Sequence, residues 1–248
     1  MGTSPSAIFR SLLSELPRGH PLTIQWFAER GLAAKQVARL AHDGWLKRVG
    51  HGVYILSGDQ LEQKASLALL ARSIPGLHVG GKTALEWRGV RHNLSARPTL
   101  SLWGDAPQKL PAWFSEAFPA VYQAAHIFSG GMPADLGVSA LPGGHSQVLV
   151  STPERAMLEL LSDVGKRQGL EEATHLLDGL RSPRLNVLEQ LFAHLERIKV
   201  ARLAQTLSEE LDLPWKDIAR HHSDRLGGGQ RWVANTRTGD RLDLRRPT

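Results

Sequence analysis

SAIFRSLLSELPRGHPLTIQWFAERGLAAKQVARLAHDGWLKRVGHGVYIL, residues 6–56, is the stretch that decides the fold of the N-terminal region. Its first part predicts an amphipathic helix, because apolar residues recur there at spacings of three and four: Ile8, Phe9, Leu12, Leu13 and Leu16. Pro17 and Gly19 end that helix, and Thr23 can cap a second one with the sequence IQWFAER. A third helix is predicted over roughly residues 33–43. WLKRVGHGVYIL then predicts two short strands around a turn at Gly50–Gly52.

Three helices followed by a hairpin is the element order of a winged helix-turn-helix. In that fold the third helix enters the major groove of DNA, while the hairpin lies along the phosphates. The polar face of the predicted third helix supplies the candidate base-reading residues: Lys35, Gln36, Arg39 and His42. The hairpin supplies candidate phosphate contacts: Lys47, Arg48 and His51. The alternative is a small helical lobe with a solvated charged face, or a wing that contacts another protein.

The charge of the chain is unevenly distributed. Of its 248 residues, 1–56 carry seven Lys/Arg against three Asp/Glu, 57–215 carry 15 against 17, and 216–248 carry eight against four. The formal net charge of +6 therefore comes from a basic head and a basic tail. Such an arrangement suits a polyanionic partner, and nucleic acid is the first candidate.

The composition excludes several classes of protein. The chain contains no cysteine, which excludes disulfides, thiolate metal sites and cysteine nucleophiles. No segment approaches the roughly 18 uninterrupted apolar residues that a membrane span needs. The first 25 residues also lack a secretory pattern. We therefore expect a cytoplasmic protein with no membrane partner.

The remaining residues, 59–248, predict a larger domain of mixed α/β structure. A helix begins near Leu61 and runs to about Ser73. Short apolar segments then predict strands: LHVGG, TLSLWG, FPAVYQAAHIF, VSALPGG and SQVLVST. Further helices are predicted at about 153–164, 170–178, 185–195 and 198–210, before a terminal hairpin that turns near TRTGD. The predicted fold class is thus α+β, with a winged helix-turn-helix in residues 1–58 and the larger mixed domain in residues 59–248.

One segment, GLHVGGKT at residues 76–83, fits the phosphate-loop pattern G-x-x-x-x-G-K-[ST]. A nucleotide-hydrolysing enzyme would need a buried strand before that loop and a helix after it. The segment before Gly76 is SLALLARSIP, which is helix-patterned and ends in a proline. We therefore predict a strand, a glycine turn at Gly80–Gly81 and a helix from Lys82 through Trp87, without nucleotide hydrolysis.

Other catalytic chemistry is weakly represented. The histidine pair at 221–222 has no partner at a metal-ligand spacing, and the chain has no G-x-S-x-G elbow. Asp217, His221 and Asp224 can share a helical face, where solvated side chains are the simpler explanation. We predict no catalytic residue, no metal site and no cofactor.

Three further segments of the chain are VGGKTALEWRGVRHNL (79–94), VSTPERAMLELL (150–161) and LGGGQRWVANTRTGDRLDLRRP (226–247). Together they resemble the AbiEi family of antitoxins. The likeness extends over most of the chain, because members of that family also begin with a winged helix-turn-helix. One departure is the turn GGGQR, where the family pattern suggests a lysine at the position of Gln230.

The resemblance implies a type IV toxin–antitoxin (abortive infection) system and two tasks for one chain. The N-terminal domain would repress its own operon by binding inverted repeats in the promoter. The C-terminal domain would counteract a toxin that resembles nucleotidyltransferases, without needing a stable complex with it. Candidates for this antitoxin function are basic residues of the three segments: Lys82, Arg155, Arg231, Arg237 and Arg241. The alternative function is a ligand-responsive winged-helix transcription regulator.

Overall fold

The computed structural model describes most of the chain, namely residues 5–13, 16–90, 98–124, 126–226, 232–235 and 241–244. The described helices are α1 (Pro5–Leu13), α2 (Ile24–Ala28), α3 (Ala34–His42), α4 (Gln63–Ala71), α5 (Gly81–Trp87), α6 (Ala112–Ala117), α7 (Pro153–Asp163), α8 (Leu170–Asp178), α9 (Leu185–His194), α10 (Ile198–Glu210) and α11 (Lys216–Leu226). The described strands are β1 (Leu22–Thr23), β2 (Leu46–Gly50), β3 (Val53–Leu56), β4 (His78–Val79), β5 (Leu100–Trp103), β6 (Ala120–Gln123), β7 (Val138–Ala140), β8 (Leu149–Ser151), β9 (Trp232–Asn235) and β10 (Arg241–Leu244). These elements confirm the predicted α+β class.

The contacts divide the chain into two compact units. The first unit comprises the residues up to Ile74 together with Lys109–Pro119, and the second comprises Pro75–Gln108 and the residues from Ala120 onward. The first unit therefore continues beyond residue 58 and takes in a later segment of the chain. The functional boundary after residue 58 stays a prediction.

The first three helices of the first unit surround one apolar core. Its fully buried members include Phe27, Leu32 and Val37, and the apolar side of α1 packs against the same cluster. The Thr23 hydroxyl accepts a hydrogen bond from the Trp26 N–H at 3.1 Å, so the predicted cap of the second helix is present. Three helices and a hairpin thus follow one another in the predicted winged helix-turn-helix order.

The small sheet of the first unit has the order β1-β3-β2 and is antiparallel throughout. Leu22 lies opposite Tyr54, and the pairing of β2 with β3 shifts between Arg48 and Gly50. The hairpin β2–β3 was predicted. Strand β1 was not, because two residues carry no alternation that a sequence pattern can detect.

Two further helices, α4 and α6, complete the first unit. The Glu62 carboxylate caps α4 by accepting hydrogen bonds from two backbone N–H groups, at 3.0 and 2.6 Å. Helix α6 buries Trp113 and Phe114. A Cβ added at Gly50 in the hairpin would lie 2.7 Å from the Trp113 ring, so the ring packs directly on the hairpin backbone. The α6 segment was not predicted as a helix.

The second unit is built on a mixed five-stranded sheet with the order β6-β5-β4-β8-β7. Strand β4 pairs in parallel with β8 and antiparallel with β5, while β5 and β6 are parallel. All five strands lie in the apolar segments that the sequence identified. Strands β9 and β10 form the predicted terminal hairpin, whose turn lies outside the described residues.

The helices of the second unit confirm the predicted run after residue 153. Pro153 takes the first turn of α7, which is buried along nearly its whole length, and α10 is also largely buried. Helix α11 was not predicted as a separate element. Among the described helices, none is long and apolar enough to cross a membrane.

Candidate nucleic-acid interface

Helix α3 presents a basic face to solvent. Lys35, Arg39 and His42 are exposed, while Val37 and Leu40 on the opposite side are buried in the core of the first unit. The Arg39 side chain is 84% exposed and lies 3.8 Å from the Asp43 carboxylate. An ion pair this exposed contributes little free energy, so the guanidinium can leave it for a stronger partner at low cost.

Gln36 differs from the other candidates on α3. It is half-buried, and its amide oxygen accepts a hydrogen bond of 2.7 Å from the Ala33 N–H at the start of the helix. This contact satisfies one of the N–H groups that a helix start leaves without an intrahelical acceptor. Gln36 therefore stabilises the start of α3 in addition to any contact with DNA.

The hairpin carries the other three predicted contacts. Lys47, Arg48 and His51 are exposed, with His51 at the turn between β2 and β3. The Arg48 Nε–H donates to the Gly50 carbonyl oxygen at 3.2 Å, which holds the guanidinium beside the hairpin tip. Helix α3 packs against β2. The four predicted residues on α3 and the three on the β2–β3 hairpin therefore lie on neighbouring elements of the first unit.

The segment GLHVGGKT has a different local structure from a phosphate loop. Strand β4 lies inside the motif, and its backbone is paired with β5 and β8 rather than free to wrap a phosphate. A Cβ at Gly80 would collide with the Glu159 carboxylate and the Trp103 ring, so glycine is required there for close approach. The predicted strand, glycine turn and helix are confirmed, with the helix starting at Gly81.

The buried carboxylate of Glu159, on α7, gathers four hydrogen bonds. The donors are the Gly81 N–H at 3.0 Å, the Ser151 hydroxyl at 2.8 Å, the Arg155 Nε–H at 2.8 Å and His78 Nε2 at 2.9 Å. The other ring nitrogen of His78 lies 2.7 Å from the Gly76 carbonyl oxygen. A carbonyl and a carboxylate oxygen only accept, so both ring nitrogens of His78 face hydrogen-bond acceptors.

These contacts outweigh the cost of burying Glu159. Burial by itself would raise the pKa of this carboxyl. The charge and hydrogen bond of His78, the charge of Arg155 and the Gly81 N–H lower it instead, from 4.5 to about 2. The carboxylate is therefore ionised at neutral pH and ties β4, α5, β8 and α7 together.

The five antitoxin candidates lie in different surroundings. The Lys82 ammonium is 29% exposed and forms a 2.5 Å ion pair with Glu172. The Arg155 side chain is 12% exposed and also donates to the Leu136 carbonyl oxygen at 3.0 Å. Arg231 and Arg237 lie outside the described residues, whereas the backbone of Arg241 pairs with Asn235 in the terminal hairpin.

Lys82 also lines a polar cavity of about 350 Å³ in the second unit. Other charged groups on its wall are Glu86, Asp163, Arg167 and Glu172. Arg167 donates to Asp163 at 2.9 Å, so the cations at this cavity have carboxylate partners. Within the part of the chain that the structure describes, no group of three or more potential metal ligands occurs.

Arg88 and Glu154 connect distant parts of the second unit, and no sequence pattern predicts these roles. Arg88 follows α5 and donates to the Ser151 and Val150 carbonyl oxygens, at 2.6 and 2.9 Å, and to Ser139 across the β7–β8 pair. The buried Glu154 accepts three hydrogen bonds from Arg184, and these lower its pKa to about 2 although burial alone would raise it. Both residues stand in the quoted segments, but their partners are distant in the sequence.

Two family models match successive parts of the chain, and the point at which one match gives way to the other, after residue 96, differs from the boundaries of the two structural units. The family described as transcriptional regulator, AbiEi antitoxin N-terminal domain, matches residues 6–96. The family described as transcriptional regulator, AbiEi antitoxin, type IV TA system, matches residues 97–244. No protein of curated function matches the chain.

Among solved structures, the chain is similar to the crystal structure of the RV2827C protein from Mycobacterium tuberculosis. The TM-score is 0.62 at 13% sequence identity, over 91% of this chain and 82% of that one. At this identity the likeness concerns the fold alone. Because the two family matches together span nearly the whole sequence, the chain belongs to the AbiEi antitoxin family of transcriptional regulators of type IV toxin–antitoxin systems.

Proposed function

We propose that the chain represses its own operon by binding inverted repeats in the promoter through α3 and the β2–β3 hairpin. The observation that carries this proposal is the exposed basic face of α3 next to an exposed basic hairpin. In a winged helix-turn-helix these two elements meet the major groove and the phosphates respectively. A promoter-binding protein works where the DNA is, so we propose a cytoplasmic location.

The two elements would make different kinds of contact. Lys35 and Arg39, on successive turns of α3, are suited to the guanine edge in the major groove. Lys47, Arg48 and His51 are suited to phosphates, which position the protein without reading sequence. Two copies of the chain on an inverted repeat would place one α3 in each half-site.

A gel-shift titration tests this division. We expect Arg39→Ala and Lys35→Ala each to cost about 1–3 kcal/mol of binding to the chain's own promoter. Arg48→Ala should weaken binding to all sequences alike and lower the slope of log K against log salt by about 1. Lys64→Ala, which removes an exposed charge from α4 of the same unit, is the matched control. If all three test variants bound promoter DNA with the affinity of the unaltered chain, the proposal would be wrong.

We propose further that the second unit counteracts a nucleotidyltransferase-like toxin, without a stable complex and without catalytic turnover of its own. The family description as an antitoxin of a type IV system supports this proposal. Lys82 would act directly, since its ammonium borders the polar cavity. Arg155 would act indirectly by holding Glu159, and Arg231, Arg237 and Arg241 would supply the charge of the basic tail.

A growth assay with the toxin induced and the antitoxin supplied in trans tests the second proposal. Reversal of charge at Arg231 and Arg237 should reduce rescue, whereas Arg181→Glu, at an exposed position of the same unit, should not. Full rescue by the Arg231/Arg237 variant would show that these two arginines of the basic tail are not needed to counteract the toxin.

A ligand-responsive regulator remains the alternative function, and the polar cavity of about 350 Å³ is the observation that favours it. A small molecule that raises the melting temperature and releases the promoter would support this alternative. Lys82→Ala should then abolish both effects.

A further inference from the structure

A second cavity, of about 500 Å³, lies in the first unit, where α2, α4, α6 and β3 meet. All of its described lining residues belong to that unit, so it is separate from the polar cavity at Lys82. Its volume is within the range of about 300–1,000 Å³ that is typical of small-molecule sites. We call it the α2–α6 cavity, and its apolar wall residues are Trp26, Val53, Leu69, Leu70, Pro111 and Trp113.

The two tryptophan rings on this wall are held by their neighbours. The Trp26 ring meets Phe27 edge to face with centroids 5.1 Å apart, and the Trp113 ring meets Phe114 in the same way at 5.8 Å. Both phenylalanines are fully buried, and the Arg30 guanidinium lies 3.8 Å from the centre of the Trp26 ring. The rings are therefore fixed before any ligand arrives, which reduces the entropy lost on binding. An aromatic ligand gains from contact with such rings beyond the burial of its area.

The charges on the wall favour an uncharged ligand. Among the described wall residues, the charged ones are Glu29 and Arg72, whose formal charges cancel. The Glu29 carboxylate already accepts a hydrogen bond of 3.3 Å from the Gln25 amide and lies 3.8 Å from the Arg30 guanidinium. A charged ligand would lose hydration without a matching excess of charge on the wall. The Ser73 hydroxyl donates to a backbone carbonyl oxygen at 3.0 Å and can still accept a hydrogen bond from a neutral donor.

Two wall residues also contact the β2–β3 hairpin. The Trp113 ring packs on Gly50, where an added Cβ would lie 2.7 Å from it. Val53, the first residue of β3, pairs with Gly50 of β2. A ligand that fills the cavity binds the arrangement in which Trp113 lies on the hairpin, so it stabilises that arrangement by mass action.

We propose that the α2–α6 cavity binds an uncharged, planar aromatic compound with a hydrogen-bond donor, and that the bound compound holds the β2–β3 hairpin in place. The consequence for promoter affinity rests on the proposed function, in which the hairpin contacts DNA. The binding of the compound does not.

Calorimetric titration of the full chain with indole tests the site. Indole-3-acetate and tryptamine carry the same ring with a negative or a positive charge, and cyclohexanol is uncharged without being aromatic. Ser73→Trp places a large side chain at an exposed position of the wall. Ser57→Trp makes the same change at an exposed serine of the same unit that does not line the cavity. Trp26→Leu removes one ring and leaves Ser73 in place, and circular dichroism checks the folding of each variant.

We expect indole to bind saturably, Ser73→Trp to abolish this binding and Ser57→Trp to leave it unchanged. Trp26→Leu should weaken it about tenfold. The two charged analogues should bind about tenfold or more weakly than indole, and cyclohexanol should also bind more weakly. The proposal is overturned if indole does not bind saturably, if a charged analogue or cyclohexanol binds as tightly as indole, or if the two serine variants behave alike.

Gel shifts with and without saturating indole test the effect on the hairpin. Indole should raise the promoter affinity of the unaltered chain about fivefold or more and leave that of Ser73→Trp unchanged. Saturable binding of indole with no change in promoter affinity would contradict the effect on the hairpin. A chain that bound no promoter DNA in either condition would contradict the proposed function, and calorimetry would still decide whether the cavity binds indole.

Discussion

The buried carboxylate of Glu159 explains part of a misleading sequence motif. Its carboxylate needs donors close by, and Gly81, Ser151 and Arg155 supply three of them. Gly80 must be glycine because a side chain there would collide with the same carboxylate. The packing around Glu159 thus accounts for the two adjacent glycines, whereas Gly76 lies against Asp105 and Lys82 pairs with Glu172.

The first prediction concerns the pH dependence of stability. The pKa of Glu159 is about 2 in the folded chain and close to 4.5 when exposed, so its ionisation stabilises the fold above pH 4.5. That stability is lost as the pH falls from 4.5 towards 2. We expect Glu159→Gln to reduce the free energy of unfolding by about 3 kcal/mol at pH 7 and by progressively less on acidification.

Urea unfolding monitored by circular dichroism across this pH range measures the effect. Glu171→Gln is the matched control, because the Glu171 side chain lies on the same unit and is 94% exposed. Glu154 also has a lowered pKa, so part of the acid sensitivity should persist in Glu159→Gln. An unchanged pH profile in Glu159→Gln would contradict the assigned role of this carboxylate.

The second prediction concerns Lys82 and nucleotide hydrolysis. Its ammonium pairs with Glu172, and β4 occupies the part of the motif that would have to wrap a phosphate. We expect no Lys82-dependent release of phosphate from ATP or GTP with magnesium. Lys82→Ala should cost about 1 kcal/mol of stability or less, because the pair is partly exposed. Turnover that requires both Lys82 and magnesium would restore the phosphate-loop interpretation.

At the scale of elements, α6 supports the hairpin that we propose to contact DNA. The third prediction is that Gly50→Ala destabilises the first unit by about 1–3 kcal/mol, because the new methyl group overlaps the Trp113 ring. Displacement of the hairpin should also weaken binding to all DNA sequences alike. Thermal unfolding and gel shifts at two salt concentrations measure the two effects.

Gly130→Ala provides the control for this substitution. A Cβ there would meet nothing within 4 Å, so we expect a change in stability within about 0.5 kcal/mol. Equal effects of Gly50→Ala and Gly130→Ala would show that the contact between the hairpin and α6 contributes nothing.

The elements that could be predicted are those with a local signal. Helix α3 has a regular apolar period, and α7 has Thr152 and Pro153 at its start although nearly every face is buried. Helix α6 has six residues and no period of its own, so only its packing stabilises it. Helix α11, KDIARHHSDRL, has too few apolar residues to indicate a buried face from sequence.

The same distinction applies to the candidate site. The basic face of α3 follows from helical spacing alone, so its residues could be named from the sequence. The contact between His78 and Glu159 joins residues 81 positions apart, and no local pattern indicates it. The contacts of Arg197 and Lys199 with the end of α7 likewise join residues of two helices that meet only in the folded chain.

For the whole molecule, the structural units complicate any separation of functions by truncation. A fragment that begins at residue 59 keeps Trp113 and Phe114 but lacks Gly50 and the hairpin that packs on Trp113. If such a fragment failed to rescue cells from the toxin, misfolding would explain the result as readily as loss of the antitoxin function. Substitutions of exposed side chains avoid this ambiguity.

The fourth prediction is that two sets of substitutions separate repression from rescue. Lys35→Ala/Arg39→Ala should abolish repression and leave rescue from the toxin intact, because both side chains are exposed on α3 and absent from the core. Arg231→Glu/Arg237→Glu, in the basic tail, should impair rescue and leave promoter binding unchanged. A promoter reporter and growth with the toxin induced are measured in the same cells, with antitoxin levels checked by immunoblot and folding by circular dichroism. If the α3 variant loses rescue together with repression at an equal level of folded protein, both functions use the same surface and the proposed division of labour is wrong.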